Sequence, residues 1–213
     1  MLVEDVIRQA SRRFGDPELT LTKRDDYIDW INSAQLELAR TTNYLQAYNP
    51  FLWNKTTYVG GYTLPDDCIS VVRVVFDNRS LRQTTLPQLD KLGLSTQPGA
   101  SSSDPQYYYV SGRLFFLYPT PAQDLKNLEM WYAQAPPTLS QGSEELSIPM
   151  AAQEAVITYC LMRAREMNED YQGQKLSIAE WTALKGESQY DEDNPNASFP
   201  VVREVDAYTY TDY

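Results

Sequence analysis

Apolar residues recur at helical spacing from the start of the chain. Val3, Val6, Ile7, Ala10 and Phe14 share one side of a helix predicted over 2–14, which Gly15-Asp16-Pro17 stops. Thr22-Lys23-Arg24-Asp25 then carries a helix-start signal, a hydroxyl residue followed three positions later by an acid. The helix it opens, 23–42, places Tyr27, Ile31, Ala34 and Leu38 on one stripe, widened by Ile28 and Trp30.

From about 55 to 135 the period shortens. "KTTYVGGYTLP" and "ISVVRVVFD" are rich in β-branched and aromatic residues and are parted by Pro65-Asp66-Asp67. "TLPQLDKLG" has room for one or two helical turns, and "STQPGASSSDP" has the composition of a loop. "YYYVSGRLFFLYPTP", 107–121, reads as a β-hairpin turning at Ser111-Gly112, with Tyr109 opposite Leu114 and Tyr108 opposite Phe115. Tyr107, Tyr109, Leu114 and Phe116 then fall on one face, and Tyr108, Val110, Phe115 and Leu117 on the other. Both faces are apolar. "LKNLEMWYAQAP" adds a further alternating strand to what reads as one small antiparallel sheet.

Helical spacing returns over 149–169, where Pro149 suits a first turn and Ala152, Ala155, Tyr159 and Met162 share a face. A last helix over 171–186 carries Leu176, Ala179, Trp181 and Leu184. The layout is α+β: residues 1–186 form one domain, a helical bundle with a β insertion over 55–135. Residues 187–213 hold seven acids and one base, and are expected to form an extended tail. Within the tail "AYTYTDY" alternates strictly and has no strand after it to pair with, as a segment suited to joining another sheet would.

The net charge of −11 opposes phosphate binding. Arg8, Arg12 and Arg13 form a local basic cluster, read as a solvated helix face. Aromatics are abundant, with 16 Tyr, 6 Phe and 4 Trp, which favours an interaction protein. No histidine is present, which removes the usual general base, the Ser-His and Cys-His nucleophile pairs and most transition-metal sites. No glycine-rich phosphate loop occurs. Asp191-Glu192-Asp193 begins like a calcium loop, but Pro195, Asn196 and Val202 stand where such a loop needs a ligand, a glycine and a glutamate. Asp25/Asp26 is read as helix N-terminal charge and Asp66/Asp67 as turn residues. No enzyme and no cofactor is expected. Cys68 and Cys160, an opening without a secretory h-region and the lack of a long apolar run point to a reduced, cytosolic product with no membrane partner.

Four stretches together resemble the head-to-tail adaptor (connector, head-completion) proteins of tailed bacteriophages. They are "DWINSAQLELAR" (29–40), with Ile31, Asn32, Ala34 and Gln35 in a characteristic run, "GYTLPDDCISVVRV" (61–74), "LFFLYPTPAQDLKNLEMWYAQAPPTLS" (114–140) and "PMAAQEAVITYCLMRAREMNED" (149–170). The resemblance implies a structural virion protein of the neck, assembled in the host cytoplasm as a ring, usually a dodecamer. Such a ring joins the portal protein to a tail or nozzle protein and extends a channel through which double-stranded DNA passes without specific binding. In that setting one hairpin face is expected to cover the helices, and Tyr108, Val110, Phe115 and Leu117 to meet a neighbouring subunit or tail protein. Val205, Tyr208, Tyr210 and Tyr213 are expected to dock on the portal. The competing roles are another neck component, a tail terminator or stopper, and a small hydrolase working through distant carboxylates.

Overall fold

A computed structural model describes residues 1–52, 61–91, 104–121 and 126–193. The chain divides into a helical unit, Met1–Thr42 with Thr138–Tyr213, and a β unit, Asn43–Pro137.

In the helical unit α1 (Val3–Phe14) buries Val3, Val6, Ile7 and Ala10. It ends at Gly15, whose φ of 90° lets its N–H turn back to the Ser11 and Arg12 carbonyls. The start of α2 (Arg24–Thr42) lies one residue later than the Thr22 signal implies. Lys23 is the residue before the helix, and its N–H donates to the Asp26 carboxylate at 3.1 Å. Asp16 holds the turn between the helices, accepting from the Thr20 hydroxyl and from the N–H groups of Thr20, Leu21 and Thr22 at 2.7–3.1 Å.

A 3-10 turn (Met150–Ala152) leads into α4 (Gln153–Met167). Ala155 through Leu161 are all buried, as expected of a helix surrounded on every side, and α4 packs on α1, α2 and α5. The last helix, α5 (Tyr171–Asp193), runs seven residues past its expected end. Glu187–Asp193 lacks apolar periodicity but also lacks proline, so helix continues where a tail had been expected to begin. Residues 194–213, with Val205, Tyr208, Tyr210 and Tyr213, lie outside the described residues.

Among its described residues the β unit holds two four-stranded sheets where one small sheet had been expected. The first has the order β1 (Gln46–Leu52), β8 (Asn127–Gln134), β3 (Cys68–Phe76), β4 (Arg79–Ser80). In the second the order is β2 (Tyr62–Thr63), β7 (Leu114–Tyr118), β6 (Tyr107–Ser111), β5 (Arg82–Gln83). The short helix α3 (Leu86–Lys91) falls within "TLPQLDKLG". Leu81 carries the chain from one sheet to the other, its N–H donating to the Val74 carbonyl at 2.9 Å. β1 extends the unit to the N-terminal side of its expected start at 55. The β6–β7 turn is Gly112-Arg113, with Gly112 at φ 61°, a conformation Ser111 would enter only with strain. Tyr109 therefore pairs with Phe116 and Val110 with Phe115. The correction moves each pairing by two residues, an even shift, so the two faces keep the members the sequence assigned them.

Candidate interaction surfaces

Of the hairpin face of Tyr108, Val110, Phe115 and Leu117, three side chains do not lie where a neighbour could reach them. Tyr108, Phe115 and Leu117 are 2%, 1% and 2% exposed, in a cluster with Val74, Phe76, Leu128 and Met130. Phe115 meets the Phe51 ring edge-on at 6.1 Å and stacks on Tyr62 at 5.8 Å. Burial pushes the Tyr108 phenol up from its ordinary pKa. The covering layer is the first sheet of the same chain, in place of the helices or a subunit. Of the four, Val110 alone is exposed, at 37%.

The residues of the opposite hairpin face, Tyr107, Tyr109, Leu114 and Phe116, are all half-buried. Tyr109 and Phe116 stack at 4.9 Å with their planes 11° apart. Gly61 lies against that stack at φ 83°, and a Cβ there would come within 2.7 Å of the Phe116 ring.

On the first sheet the register aligns Tyr48, Trp131 and Arg73 across three strands. Tyr48 sits 4.9 Å from Trp131, and the Arg73 guanidinium lies 5.3 Å from the Trp131 ring centroid. Tyr48 is 50% exposed, and Leu52 on the same strand 57%. Two neighbours in this row are aromatic and the third is a cation, a composition enriched in protein interfaces.

α5 buries a narrow stripe. Trp181 meets Tyr159 edge-on at 5.0 Å, and Ser177 accepts from Arg165 Nη1 at 2.7 Å. Leu176, one of the apolar residues of this amphipathic helix, is 71% exposed, and Tyr171 and Ile178 are exposed with it. The buried place one residue on belongs to Ser177, whose hydroxyl has a charged partner.

Most of the candidate charged residues have structural partners. Arg8 pairs with Asp5 at 2.5 Å, Arg13 pairs with Glu154, and Arg12 is exposed. Asp66 pairs with Arg113 at 2.5 Å. Asp67 accepts from the Tyr132 hydroxyl at 3.2 Å and the Gln134 amide at 2.6 Å. Glu144 accepts from the N–H groups of Ser140 and Gln141, which hold its carboxyl below the usual range. Among the described residues no group of three or more Cys, Asp or Glu could hold a metal ion, and no helix is long and apolar enough to cross a membrane. Cys68 and Cys160 are free thiols.

A family model described as SU10 adaptor protein matches residues 1–201. The chain belongs to that family, one of phage head–tail adaptors. No curated protein matches the chain.

The adaptor's Asn32 and Gln35, noted in the sequence only as part of a run, hold the segment that follows the β unit. The Asn32 amide donates to the Leu139 carbonyl at 2.9 Å, and its oxygen accepts from the Leu139 N–H at 2.8 Å. Gln35 Oε1 accepts from the Ser147 N–H at 2.9 Å. Two amides at an i, i+3 spacing on an otherwise apolar helix face are the signal that could have found this clamp, because buried polar groups need partners.

Proposed function

We propose that the adaptor assembles as a dodecameric ring in the virion neck, where it joins the portal to a tail or nozzle protein and extends the DNA channel. The observation that carries this reading is the apolar surface left in water by one copy of a head–tail adaptor: Tyr48, Leu52, Leu176 and Ile178 on its outer faces. Scattered exposed apolar residues are ordinary. Aromatic rows backed by a sheet, in a chain of this family, suit contacts with like copies and neck proteins. A net charge of −11 suits a channel wall along which DNA slides. The role is structural and needs no cofactor. Portal docking falls to the tail, through Val205, Tyr208, Tyr210 and Tyr213, as a strand added to a portal sheet.

Electron microscopy of the full chain mixed with portal particles tests the ring. A closed ring stacked on the portal is expected, and a chain that stays monomeric and unbound overturns the reading. Deleting 194–213, which leaves α5 whole, is expected to abolish co-sedimentation with portal. Undiminished binding overturns the tail's role and leaves the ring untouched.

A further inference from the structure

The free edges of the adaptor's β unit are poor templates for another strand. The Gln134 N–H donates to the Leu45 carbonyl at 2.8 Å, so along β1 the N–H groups of Ala47, Asn49 and Phe51 face β8. Position 50 faces the open edge, and Pro50 has no N–H to offer there. On the far side of the first sheet β4 is two residues long and pairs only with Val75 and Phe76 of β3, whose pairing with β8 shifts register between Cys68 and Ser70 and between Val71 and Arg73. β2 and β5, the edges of the second sheet, are two residues long each. Short, bulged and proline-bearing edges resist strand addition. A partner of this unit therefore meets a face.

The outer face of the first sheet has a cation to be matched. Arg73 is exposed on the Trp131 ring and has no ion pair among the described residues. Glu129 lies two residues along β8 from Trp131 on the same face but makes no ion pair with Arg73 among the described residues, and 43–137 as a whole holds seven acidic and seven basic residues. The opposite imbalance stands at the end of α5. Glu187–Asp193 contains four acids and no base, and the last turn of the helix has no basic residue. A helix C-terminus already carries a partial negative charge, so acids there raise its demand for a cation from elsewhere.

We propose that the Tyr48–Trp131–Arg73 row receives the acidic end of α5, 187–193, from a second copy, and that this pairing is a subunit contact of the ring. The inference rests on the ring reading above and names the surfaces that close it. A closed ring needs two different, complementary patches on one chain, and a neutral aromatic face bearing an unmatched arginine fits an acidic helix end. Three aromatic and cationic side chains at the centre of such a contact would supply most of its binding energy.

Charge exchange in the full chain tests the pairing, read by sedimentation velocity with and without portal particles. Arg73→Glu alone, and reversal of the α5 end by Glu187→Lys, Asp191→Lys, Glu192→Lys and Asp193→Lys alone, should each weaken self-association about tenfold or more. Thermal unfolding of the separate variants checks that each still folds. Mixing the two variants in equal amounts should restore assembly, since each supplies the complement the other lacks. Variants that assemble like the natural chain overturn this contact and leave the ring standing. Loss in both without restoration on mixing also overturns it, and assigns the acids or Arg73 to contacts within one copy or to another protein. A natural chain that forms no ring, even on portal, overturns the underlying reading.

Discussion

The helical unit carries all of the adaptor's net charge and the β unit none, with 22 acids against 11 bases outside 43–137 and seven against seven within it. Aromatics run the other way, 15 of 26 falling in the β unit. Each unit also builds its interior differently. The helical unit wraps three helices about α4, ties its returning chain with polar clamps at Asn32 and Gln35, and holds its α1–α2 turn with another at Asp16. In the β unit two sheets close over interlocked rings, and the first sheet still turns Tyr48 outward beside Trp131. Polar clamps fix a geometry that apolar contact leaves loose, whereas stacked sheets fix theirs by register and have side chains to spare for partners.

The sharpest way to break this contrast is Phe115→Ala. Loss of a fully buried ring should cost about 3–5 kcal/mol, read as a large fall in the denaturation midpoint. A change below about 1 kcal/mol would mean that the hairpin face is not core.

Asn32→Ala tests the clamp. It leaves the Leu139 N–H and carbonyl without their partner and should cost about 2 kcal/mol, while Asn32→Asp, which keeps only the acceptor, should recover part of that. Equal losses in both variants would place the effect elsewhere.

The Asp16 clamp should show itself in acid. Burial alone would raise its carboxyl, but the Thr20 hydroxyl and the three N–H donors outweigh it and lower the pKa to about 2. A depressed folded value gives stability that is whole above the ordinary aspartate value near 4 and is lost as pH falls toward 2. Asp16→Asn should flatten that part of the stability–pH curve. An unchanged curve would show that other carboxylates set the acid limit.

The smallest effect belongs to the outward face. Tyr48→Ser should alter the stability of one copy by less than about 1 kcal/mol, in contrast to Phe115. A larger loss in the isolated chain would mean that the Tyr48 side chain packs within one copy and is not spare for a partner.

The elements easiest to read in the sequence were those with punctuation at their ends. Gly15 and Pro149 bound helices whose apolar faces repeat cleanly, and both expectations hold within a few residues. β1 was missed because "QAYNPFL" mixes poor strand formers with a proline, a pattern that suits only an edge. Which hairpin face lies inside could not be read from the hairpin, since both faces are apolar and the cover comes from β1, β3 and β8, distant in sequence. Leu176 is the opposite case: hydrophobicity alone would count it as core, but the buried place belongs to Ser177, held by Arg165. The outer row of Tyr48, Trp131 and Arg73 was invisible to any local pattern, because its members meet only through strand register.

Pro50 has a consequence beyond the strand that contains it. In the proposed ring, where many copies gather at one small junction, copies would risk joining backbone to backbone in a stack with no natural end. An edge lacking a donor interrupts that growth at its first step, so crowding favours a counted, closed assembly over a fibre.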